Sequence, residues 1–299
     1  MIGAVSRYVP WWMKLGSKLV LARLPLSYAA WRNLGIFKHG AMLDTGYALH
    51  VFEYHFRHVR AEWTGAADRE RTMLELGPGD SLATAMLARI HGASRTWLVD
   101  RGAYASPRID SYQALADRLN TEGLNADREH PSTPVPAFAS LDAMLEWSGA
   151  RYLVDGLRGL SAIPDASVDF SFSHAVLEHV RRDEFDATLR ELFRVAAPGA
   201  LTSHRIDLRD HLGGSLHNLR FSRGWWESPF AASSGFYTNR LRMTEIVERF
   251  RAAGFEILST RETRWPALPL SRRKLDPEFA AMTDEELTVQ GLDLLARKP

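Results

Sequence analysis

The sequence of 299 residues contains no cysteine. Disulfides, thiolate nucleophiles and cysteine-ligated zinc or iron–sulfur clusters are therefore excluded. The sequence also contains no uninterrupted apolar run of the ~18 to 20 residues that a membrane-spanning helix needs. The apolar N-terminal stretch is broken by Lys14, Lys18 and Arg23, so we expect neither a secretory signal nor stable membrane insertion. These features are compatible with a cytoplasmic protein, and this is the location that we expect.

The chain also lacks an excess of either charge. It has 37 Lys and Arg residues against 36 Asp and Glu residues, which gives a formal net charge of +1. A protein so close to neutral has no general field with which to hold a polyanion, so we do not expect nucleic acid as a partner. The hydrophobic content of 45% is that of an ordinary globular protein.

Hydrophobic periodicity divides the chain into two parts. Residues 1–65 carry apolar and aromatic residues at helical spacing, and we interpret them as an N-terminal helical cap or lid. Residues 66–299 alternate short β-type runs with helical ones, which predicts an α/β domain with helices on both faces of a parallel sheet. Strands are predicted at 72–76, 96–99, 151–154, 168–172, 200–206, 255–261 and 287–296, and the main helices at 82–90, 112–119, 141–148, 183–196 and 243–253. A loop is predicted at 125–140, and Pro198-Gly199 is interpreted as a turn before the fifth strand.

The stretch M-L-E-L-G-P-G-D-S, at 73–81, places two glycines directly after the first predicted strand. Ligands of doubly wound sheets bind at this end of a strand, and glycines let the backbone approach them closely. A dinucleotide, a phosphate, another nucleotide-like cofactor and a plain tight turn all fit the glycines alone. Asp100 ends the second predicted strand, where an acid can accept hydrogen bonds from ribose hydroxyls.

A third glycine is missing from this turn. Leu82 takes its place, and Pro78 lies between the two glycines that are present. Glu75 and Asp80 would repel a pyrophosphate, but they suit a cofactor with a positively charged end and no phosphate. S-adenosylmethionine (SAM) has an ammonium group, a sulfonium and a ribose, and we therefore expect SAM as the cofactor.

Longer stretches resemble the class I SAM-dependent methyltransferases, and in particular their methyltransferase type 11-like members. The glycine turn is similar to the first motif of the family, and W-L-V-D, which ends at Asp100, is similar to the second. The segment L-S-A-I-P-D-A-S-V-D-F-S-F-S-H-A-V-L-E-H-V, at 160–180, carries a more specific resemblance. The resemblance covers residues 70–299. It implies a Rossmann-like, seven-stranded, mostly parallel sheet whose last strand is antiparallel.

The resemblance also implies which residues would contact the cofactor, all of them near the carboxyl ends of the first four strands. They are Glu75, Gly77, Gly79 and Ser81 at the methionine end, Asp100, Arg101 and Leu157 at the ribose and adenine, and Ser173 and His174 near the transferred methyl group.

Catalysis requires a proton acceptor in addition to the cofactor pocket. Methyl transfer is an in-line displacement in which a hydroxyl or ammonium acceptor must also lose a proton. Histidine suits this transfer near neutral pH. The candidates are His174, which follows the fourth predicted strand, His204, which belongs to the fifth, and His211, which follows the fifth. His179 belongs to the L-E-H part of the resemblance, and we interpret it as structural. The H-x-x-D and D-H spacings in this region are common by chance, so we expect no metal.

Residues 207–240 form an aromatic insertion on the predicted substrate side. The insertion could close over the pocket as a lid, or it could form a satellite core or a contact within a homodimer. Several arginines in or near it would favour an anionic substrate. They are Arg205, Arg209, Arg220, Arg223, Arg240 and Arg242.

Three functions are compatible with these features. The first is a SAM-dependent methyltransferase that acts on an O or N atom of a small molecule or sugar-type acceptor. The second is a SAM-using enzyme of the same fold that does not transfer a methyl group, such as a cyclase, a lyase or an aminocarboxypropyl transferase. The third is a non-catalytic binding subunit with the SAM fold. The intact glycine turn and Asp100 favour an enzyme.

Overall fold

The computed structural model describes residues 9–21, 23, 41–64, 70–122 and 134–299. The helical prediction for residues 24–40 and most of the loop predicted at 125–140 lie outside the described residues. Within the described chain, all seven predicted strands are present and belong to one sheet. The strands are β1 (Thr72–Leu76), β2 (Arg95–Val99), β3 (Ala150–Leu153), β4 (Val168–His174), β5 (Ala196–Asp207), β6 (Glu256–Arg264) and β7 (Val289–Arg297).

The order of the strands in the sheet is β3-β2-β1-β4-β5-β7-β6. The first five strands are parallel to one another, whereas β7 lies antiparallel between β5 and β6. This is the predicted Rossmann-like, doubly wound sheet with an antiparallel last strand, and the predicted fold class is confirmed. The order reverses between β1 and β4, so the carboxyl ends of these two strands border the crevice in which such folds bind ligands.

The helices of the described chain connect these strands and extend the N-terminus and the insertion. They are α1 (Trp11–Leu21), α2 (Thr45–Phe56), α3 (Arg60–Thr64), α4 (Ala83–Ile90), α5 (Ile109–Thr121), α6 (Leu141–Ser148), α7 (Leu157–Ser161), α8 (Phe185–Val195), α9 (Arg223–Trp226), α10 (Pro229–Ala232), α11 (Met243–Ala252), α12 (Pro277–Ala280) and α13 (Asp284–Thr288). Among the helices that the structure describes, none combines the length and hydropathy that crossing a membrane requires.

Most strand boundaries differ from the predictions by one to four residues, and the differences in β5 and β4 bear on the site. β5 begins at Ala196 and continues through the Pro198-Gly199 pair, which the sequence analysis interpreted as a turn before the strand. The pairing of β4 with β5 is irregular here, and Gly199 has a φ of 80°, so the pair forms a bulge within the strand. β4 extends two residues beyond its predicted end, because Ser173 and His174 pair with residues of β5.

The core is divided by the sheet into two layers. Alternate residues of β1 face opposite layers, since Met73 packs against α4, α5 and α2, whereas Leu74 packs against α8 and α11. Helix α8 fits this arrangement because Phe185, Leu189 and Leu192 recur at helical spacing and are all buried. Both faces of the central strands are therefore covered, whereas the edge strand β6 is largely exposed.

The N-terminal helices contact two different parts of the molecule. Helix α2 joins the core of the sheet, where Val51, Phe52 and Phe56 are buried. Helix α1 packs against the 207–240 insertion instead, through Trp11 and its apolar neighbours one and two turns further on. The proposed boundary between a cap (1–65) and the main domain (66–299) stays a prediction, and α2 shares the core of the main domain.

Candidate cofactor and acceptor site

The glycine turn follows β1 directly and has the backbone geometry that only glycine adopts easily. Gly77 and Gly79 have φ angles of 75° and 69°, in the left-handed region. The Gly77 N–H donates a hydrogen bond to the Val99 carbonyl at 2.7 Å, which holds the turn against the end of β2. A Cβ atom on Gly77 would lie 2.4 Å from Cγ2 of Val176, so a side chain has no room there.

Asp100 ties the turn to the end of β2. Its Oδ2 accepts a hydrogen bond from the Gly79 N–H at 2.9 Å, and its Oδ1 accepts one from the Arg101 N–H at 2.7 Å. Burial raises the pKa of Asp100 to about 6, although these two hydrogen bonds act in the opposite direction. The Asp100 carboxylate thus lies beside the glycine turn, as a ribose-binding acid would. The neighbouring Arg101 is exposed.

Glu75 is a buried acid at the second-to-last position of β1, just before the glycine turn. Its side chain is only 2% exposed, and its Oε2 makes no hydrogen bond of regular geometry within the described part of the chain. Burial raises its pKa to about 8, with Asp100 adding to the effect and the nearby Thr84 hydroxyl reducing it. A buried carboxyl group without a partner is costly unless a ligand completes it. A cationic group in the turn would do so.

Asp80 and Ser81 have structural contacts that the sequence did not reveal. Asp80 Oδ1 accepts a hydrogen bond from the Met42 N–H at 3.0 Å, so this carboxylate holds the N-terminal segment against the turn. From the sequence, Asp80 is interpreted as an acid that favours a cationic cofactor. The contact with Met42 shows that it also has a structural role. Ser81 is buried just before α4, where its Oγ accepts a hydrogen bond from the Ala83 N–H at 3.3 Å.

The residues after β2 and β3, which the resemblance would place at the ribose and adenine, are joined by a hydrogen bond. The Gly156 N–H donates to the Asp100 carbonyl at 2.8 Å, and Leu157 follows at the start of α7. Tyr152 and Tyr104 were not singled out in the sequence. The Tyr152 hydroxyl donates to the Gly102 carbonyl at 2.9 Å and accepts from the Tyr104 N–H at 3.1 Å, which fixes the loop after Asp100.

Ser173 and His204 lie on the face of the sheet opposite to Glu75. Ser173 pairs with Leu76 and Glu75 pairs with Phe172, and neighbouring residues of a strand point to opposite faces. Ser173 Oγ and His204 Nδ1 are 2.7 Å apart, and His204 Nε2 is 2.7 Å from the Thr202 hydroxyl.

His204 is consequently unsuited to act as a base. It is 1% exposed, both ring nitrogens have partners inside the protein, and burial lowers its pKa to about 3. Ser173 can reach a cofactor only with its backbone, because its side chain is part of the same buried network. Sequence alone could not show this, because it depends on the register between β4 and β5.

His174 ends β4 on the same face as Glu75 and is partly exposed. Its Nδ1 is 3.1 Å from His55 Nε2, and His55 Nδ1 is 2.8 Å from the Ser203 hydroxyl, so the ring is held by a polar chain that starts in α2 and β5. Burial, with Arg205 and His50 adding to it, lowers the pKa of His174 to about 4. The imidazole is therefore neutral at pH 7, and its Nε2 is the nitrogen that His55 does not contact.

His211 lies beside the L-E-H segment that follows β4. Its ring centroid is 4.7 Å from that of His179, and burial lowers its pKa. Glu178 precedes His179 and is buried, and burial raises its pKa to about 8. The structure thus brings His211 together with His179 and Glu178, whereas His204 is separated from them. The sequence analysis interpreted His179 as structural, and it contains no signal for the proximity of His211.

The aromatic insertion forms a satellite core of its own. Trp226, Phe236 and Tyr237 pack together with Leu212, and α1 covers them. The Trp226 indole N–H donates to the Thr238 carbonyl at 2.7 Å. Most of the large aromatic side chains are thereby used for packing, which is one of the alternatives that the sequence left open. Closure of the insertion over the pocket stays a prediction.

The arginines that suggested an anionic substrate all contact protein groups. Arg242 is buried and donates to the carbonyls of Leu208 and of residues preceding or starting β7, while Arg240 donates to the Phe221 carbonyl at 2.6 Å. Arg205, Arg209 and Arg223 pair with Asp293, Asp207 and Glu278, and Arg220 lies over the ring of Trp11. These contacts explain the arginines without a substrate, so they no longer indicate the charge of the acceptor.

Comparison with known proteins gives one family match and several similar solved structures. Residues 74–203, from β1 to most of β5, match the family model described as a methyltransferase domain. No curated protein matches the chain. Among similar solved structures is a SAM-dependent methyltransferase from Methanosarcina mazei, with 18% identity, a TM-score of 0.44, and coverage of 77% of this chain and 92% of that one.

Two other similar structures contain ligands related to the cofactor. One is the 1,6-didemethyltoxoflavin-N1-methyltransferase of Burkholderia thailandensis with S-adenosylhomocysteine, at 16% identity, a TM-score of 0.42 and 92% coverage of both chains. The other is the phosphoethanolamine N-methyltransferase 2 of Haemonchus contortus with SAM, at 13% identity, a TM-score of 0.42, and coverage of 83% of this chain and 56% of that one. Identities at this level say nothing about the acceptor of this chain.

The family match falls on the segments that carried the resemblance, namely the glycine turn, Asp100 and the segment at 160–180. Residues 74–203 thus match a methyltransferase domain, and this match supports the resemblance to class I SAM-dependent methyltransferases and the expectation of SAM as the cofactor. The glycine cradle that excludes a Cβ atom fits this cofactor, and so does the buried carboxyl group of Glu75, whose Oε2 has no hydrogen-bond partner among the described residues.

Proposed function

We propose that the protein transfers a methyl group from SAM to an O or N atom of a small-molecule or sugar-type acceptor. The observation that carries this proposal is the arrangement of Glu75, Gly77, Gly79 and Asp100 at the reversal point of the sheet. It combines a left-handed glycine turn with two buried acids, Glu75 and Asp100, which would repel a pyrophosphate. A cationic, ribose-containing and phosphate-free cofactor satisfies this set of groups best.

The residues of the chain would divide the work of holding the cofactor. Glu75 would face the ammonium end, Gly77 and Gly79 would let the backbone approach the methionine portion, and Asp100 would accept hydrogen bonds from the ribose hydroxyls. Leu157 would pack against the adenine. When bound, SAM supplies an electrophilic methyl group on a positively charged sulfur.

His174 is the predicted base whose position suits the reaction best. It lies at the carboxyl end of β4, beside the end of β1, and on the same face as Glu75. Its neutral imidazole can accept a proton at Nε2, while the contact between Nδ1 and His55 fixes the orientation of the ring. With a pKa of about 4, His174 would pass this proton on to solvent rather than keep it.

The alternative functions give different results in a simple assay. Purified protein is titrated with SAM and S-adenosylhomocysteine in a calorimeter, and it is then incubated with SAM and candidate hydroxyl or amine acceptors. We expect saturable binding of both compounds and formation of S-adenosylhomocysteine. Methylthioadenosine as the product would indicate one of the non-methylating enzymes. Absence of binding of either compound would contradict the proposal and favour a non-catalytic subunit.

Other expectations from the sequence stay predictions. These are a cytoplasmic location, a small-molecule rather than nucleic-acid partner, and a homodimer. Gel filtration combined with light scattering would settle the last of these without any knowledge of the acceptor.

A further inference from the structure

Three potential metal ligands meet next to the cofactor turn. One ligand atom each from Glu178, His179 and His211 lies within 4.8 Å of the other two. Glu178 and His179 belong to a short 3-10 helix, Leu177–His179, after β4, and His211 follows the end of β5. Three ligand atoms this close together are within reach of one ion, which nitrogen and oxygen ligands of zinc-type ions hold at ~2.0–2.2 Å.

Glu178 is the first reason to expect an ion there. It is only 3% exposed, and neither carboxylate oxygen makes a hydrogen bond of regular geometry within the described residues, although the N–H groups of Glu178 and Asp207 lie nearby. Leaving a buried carboxyl group unsatisfied costs ~1–3 kcal/mol or more. A cation shared with two imidazoles would remove this cost.

The orientation of His179 is the second reason. Its Nδ1 is 3.0 Å from the Tyr237 carbonyl, to which it can only donate. This contact selects the neutral tautomer with a lone pair on Nε2. Histidines that bind metals usually donate their other ring N–H to a carbonyl or carboxylate in this way. Tyr237 is itself fixed, because its hydroxyl is 2.7 Å from Glu227 Oε2.

Charged groups of both signs surround the cluster, since Asp207, Arg205 and Arg209 act on Glu178, and Lys18 acts on His211. Asp207, the nearest other acid, is engaged by Arg209, whose Nε and Nη2 lie 2.9 and 2.8 Å from its two oxygens. Lys18 of α1 donates from Nζ to the His211 carbonyl at 3.1 Å, so it anchors the backbone that carries the histidine. Helix α1 therefore fixes the backbone at His211 through this hydrogen bond.

The cluster lies on the acceptor side of the pocket. Val176, two residues before Glu178, is the side chain that excludes a Cβ atom from Gly77. Between His174 and Val176, Ala175 has a φ of 55°, a left-handed conformation that turns the chain sharply after β4. The turn brings the cluster next to the strand ends where the methyl group of the cofactor is expected.

We propose that Glu178, His179 and His211 bind one divalent transition-metal ion of the zinc type. Two imidazoles and one carboxylate are a ligand set that leaves at least one coordination position open, as in catalytic rather than structural sites. From the sequence, no metal is expected and His211 is a candidate base. In this assignment His211 is a ligand, because its lone pair would be used by the ion.

The open position gives the ion a role that rests on the proposed methyl transfer. An acceptor oxygen bound there would have a lowered pKa and would still keep a lone pair for attack. Its proton would pass to solvent, directly or through His174. The oxygen would then form the new C–O bond while the C–S bond breaks and leaves its electron pair on sulfur. An amine has only one lone pair, which the ion would occupy, so the site favours oxygen over nitrogen acceptors.

The test is a Co²⁺ titration of chelator-treated protein without a histidine tag, followed by visible absorption. Co²⁺ replaces zinc in such sites and has d–d bands that report nitrogen and oxygen ligation. We expect one Co²⁺ per chain, displaced by Zn²⁺, and an affinity that falls about tenfold or more in H179N, H211N and E178Q. H50N, which changes an exposed histidine outside the cluster, should bind Co²⁺ as the unchanged protein does.

A parallel titration with S-adenosylhomocysteine distinguishes the possible failures. Retained binding of this compound shows that a variant is folded and that the cofactor site is intact. If the unchanged protein binds it but no Co²⁺, or if H179N and H211N both keep the full Co²⁺ affinity, the metal site is refuted and the methyltransferase proposal is not. If S-adenosylhomocysteine does not bind at all, the proposed function fails, whatever the Co²⁺ result.

Discussion

At the scale of single residues, the candidate site contains two acids whose protonation should change when a cationic ligand binds. Glu75 and Asp100 are buried, and burial raises their pKa values to about 8 and about 6. Without a cation nearby, Glu75 therefore carries a proton at pH 7. An ammonium group beside it would favour the carboxylate and lower its pKa. Binding of the cofactor should thus be coupled to the release of a proton.

This coupling can be measured by calorimetry. S-adenosylhomocysteine, which carries the same ammonium group as SAM, is titrated at pH 7 in buffers with different heats of ionisation. We expect the release of up to about one proton per site, which should disappear in Glu75→Gln. The control is Glu256→Gln, which changes a half-exposed acid on the edge strand β6 and should keep the release. A binding heat independent of buffer in the unchanged protein would argue against Glu75 as the partner of the ammonium group.

Asp100 allows a second prediction at this scale. Its two oxygens accept hydrogen bonds from the Gly79 and Arg101 N–H groups, and the amide of Asn could satisfy only one of them. Asp100→Asn should therefore lower the affinity for S-adenosylhomocysteine roughly ten- to hundredfold, as expected for the loss of hydrogen bonds to a charged group. Asp110→Asn, which changes an exposed acid in α5, should have no effect in the same titration. Equal affinities for the two variants would remove Asp100 from the site.

At the scale of elements, the glycine turn after β1 and the loop after β4 depend on each other. Val176 fills the space beside Gly77, and the same loop carries Glu178 and His179 two and three residues further on. The cofactor turn and the proposed acceptor side are therefore packed together. A substitution in one of these two segments should therefore alter the packing of the other.

Gly77→Ala tests this packing. The left-handed backbone alone costs a residue with a Cβ atom about 1–2 kcal/mol, and the contact with Val176 adds to this cost. We expect a loss of this size or larger in urea unfolding, together with loss of S-adenosylhomocysteine binding. Adding Val176→Ala should recover only the part due to the contact. The control is Gly224→Ala, where a Cβ atom meets nothing within 4 Å, and it should leave stability and S-adenosylhomocysteine binding unchanged. A Gly77→Ala protein as stable as the Gly224→Ala protein would contradict the described turn.

At the scale of the whole molecule, stability should depend on pH because histidines are buried in the neutral form. Burial lowers the pKa of His204 to about 3 and that of His174 to about 4. Below the usual value of 6.5, the unfolded chain binds protons that the folded chain does not. The free energy of unfolding should therefore fall as the pH decreases from about 6.5 toward 3. The raised pKa values of Glu75, Glu178 and Asp100 act in the opposite direction, so that these contributions are lost as the pH rises toward about 8 for the two glutamates and about 6 for Asp100.

His204→Gln isolates one of these contributions. Glutamine can still hydrogen-bond Ser173 or Thr202, but it does not titrate. Between pH 6 and pH 4 the unfolding free energy of the variant should fall less steeply than that of the unchanged protein, by at most about 1.4 kcal/mol per pH unit. Urea unfolding at several pH values measures both slopes. Identical slopes would show that His204 takes up a proton in the folded protein.

The sequence predicts the features that depend on local pattern. All seven strands, the glycine turn and the position of Asp100 follow from alternating hydrophobicity and from glycines at a strand end, and the structure contains them. The Pro198-Gly199 pair was misinterpreted as a turn before β5, because a bulge uses the same residues as a turn.

Features that depend on distant partners could not be predicted. The role of His204 depends on its register with Ser173 across two strands, and that of Asp80 depends on the N–H group of Met42. His211 meets Glu178 and His179 only because β4 and β5 end side by side. In each case the sequence contains the residue but does not indicate its partner.

A crystal structure of the protein with bound S-adenosylhomocysteine would test the central claim most directly. We predict that the ribose hydroxyls contact Asp100, that the amino-acid end lies against Gly77 and Gly79 with its ammonium group toward Glu75, and that the sulfur faces the side of His174. The compound bound elsewhere, with Gly77, Gly79 and Asp100 remote from it, would contradict the account.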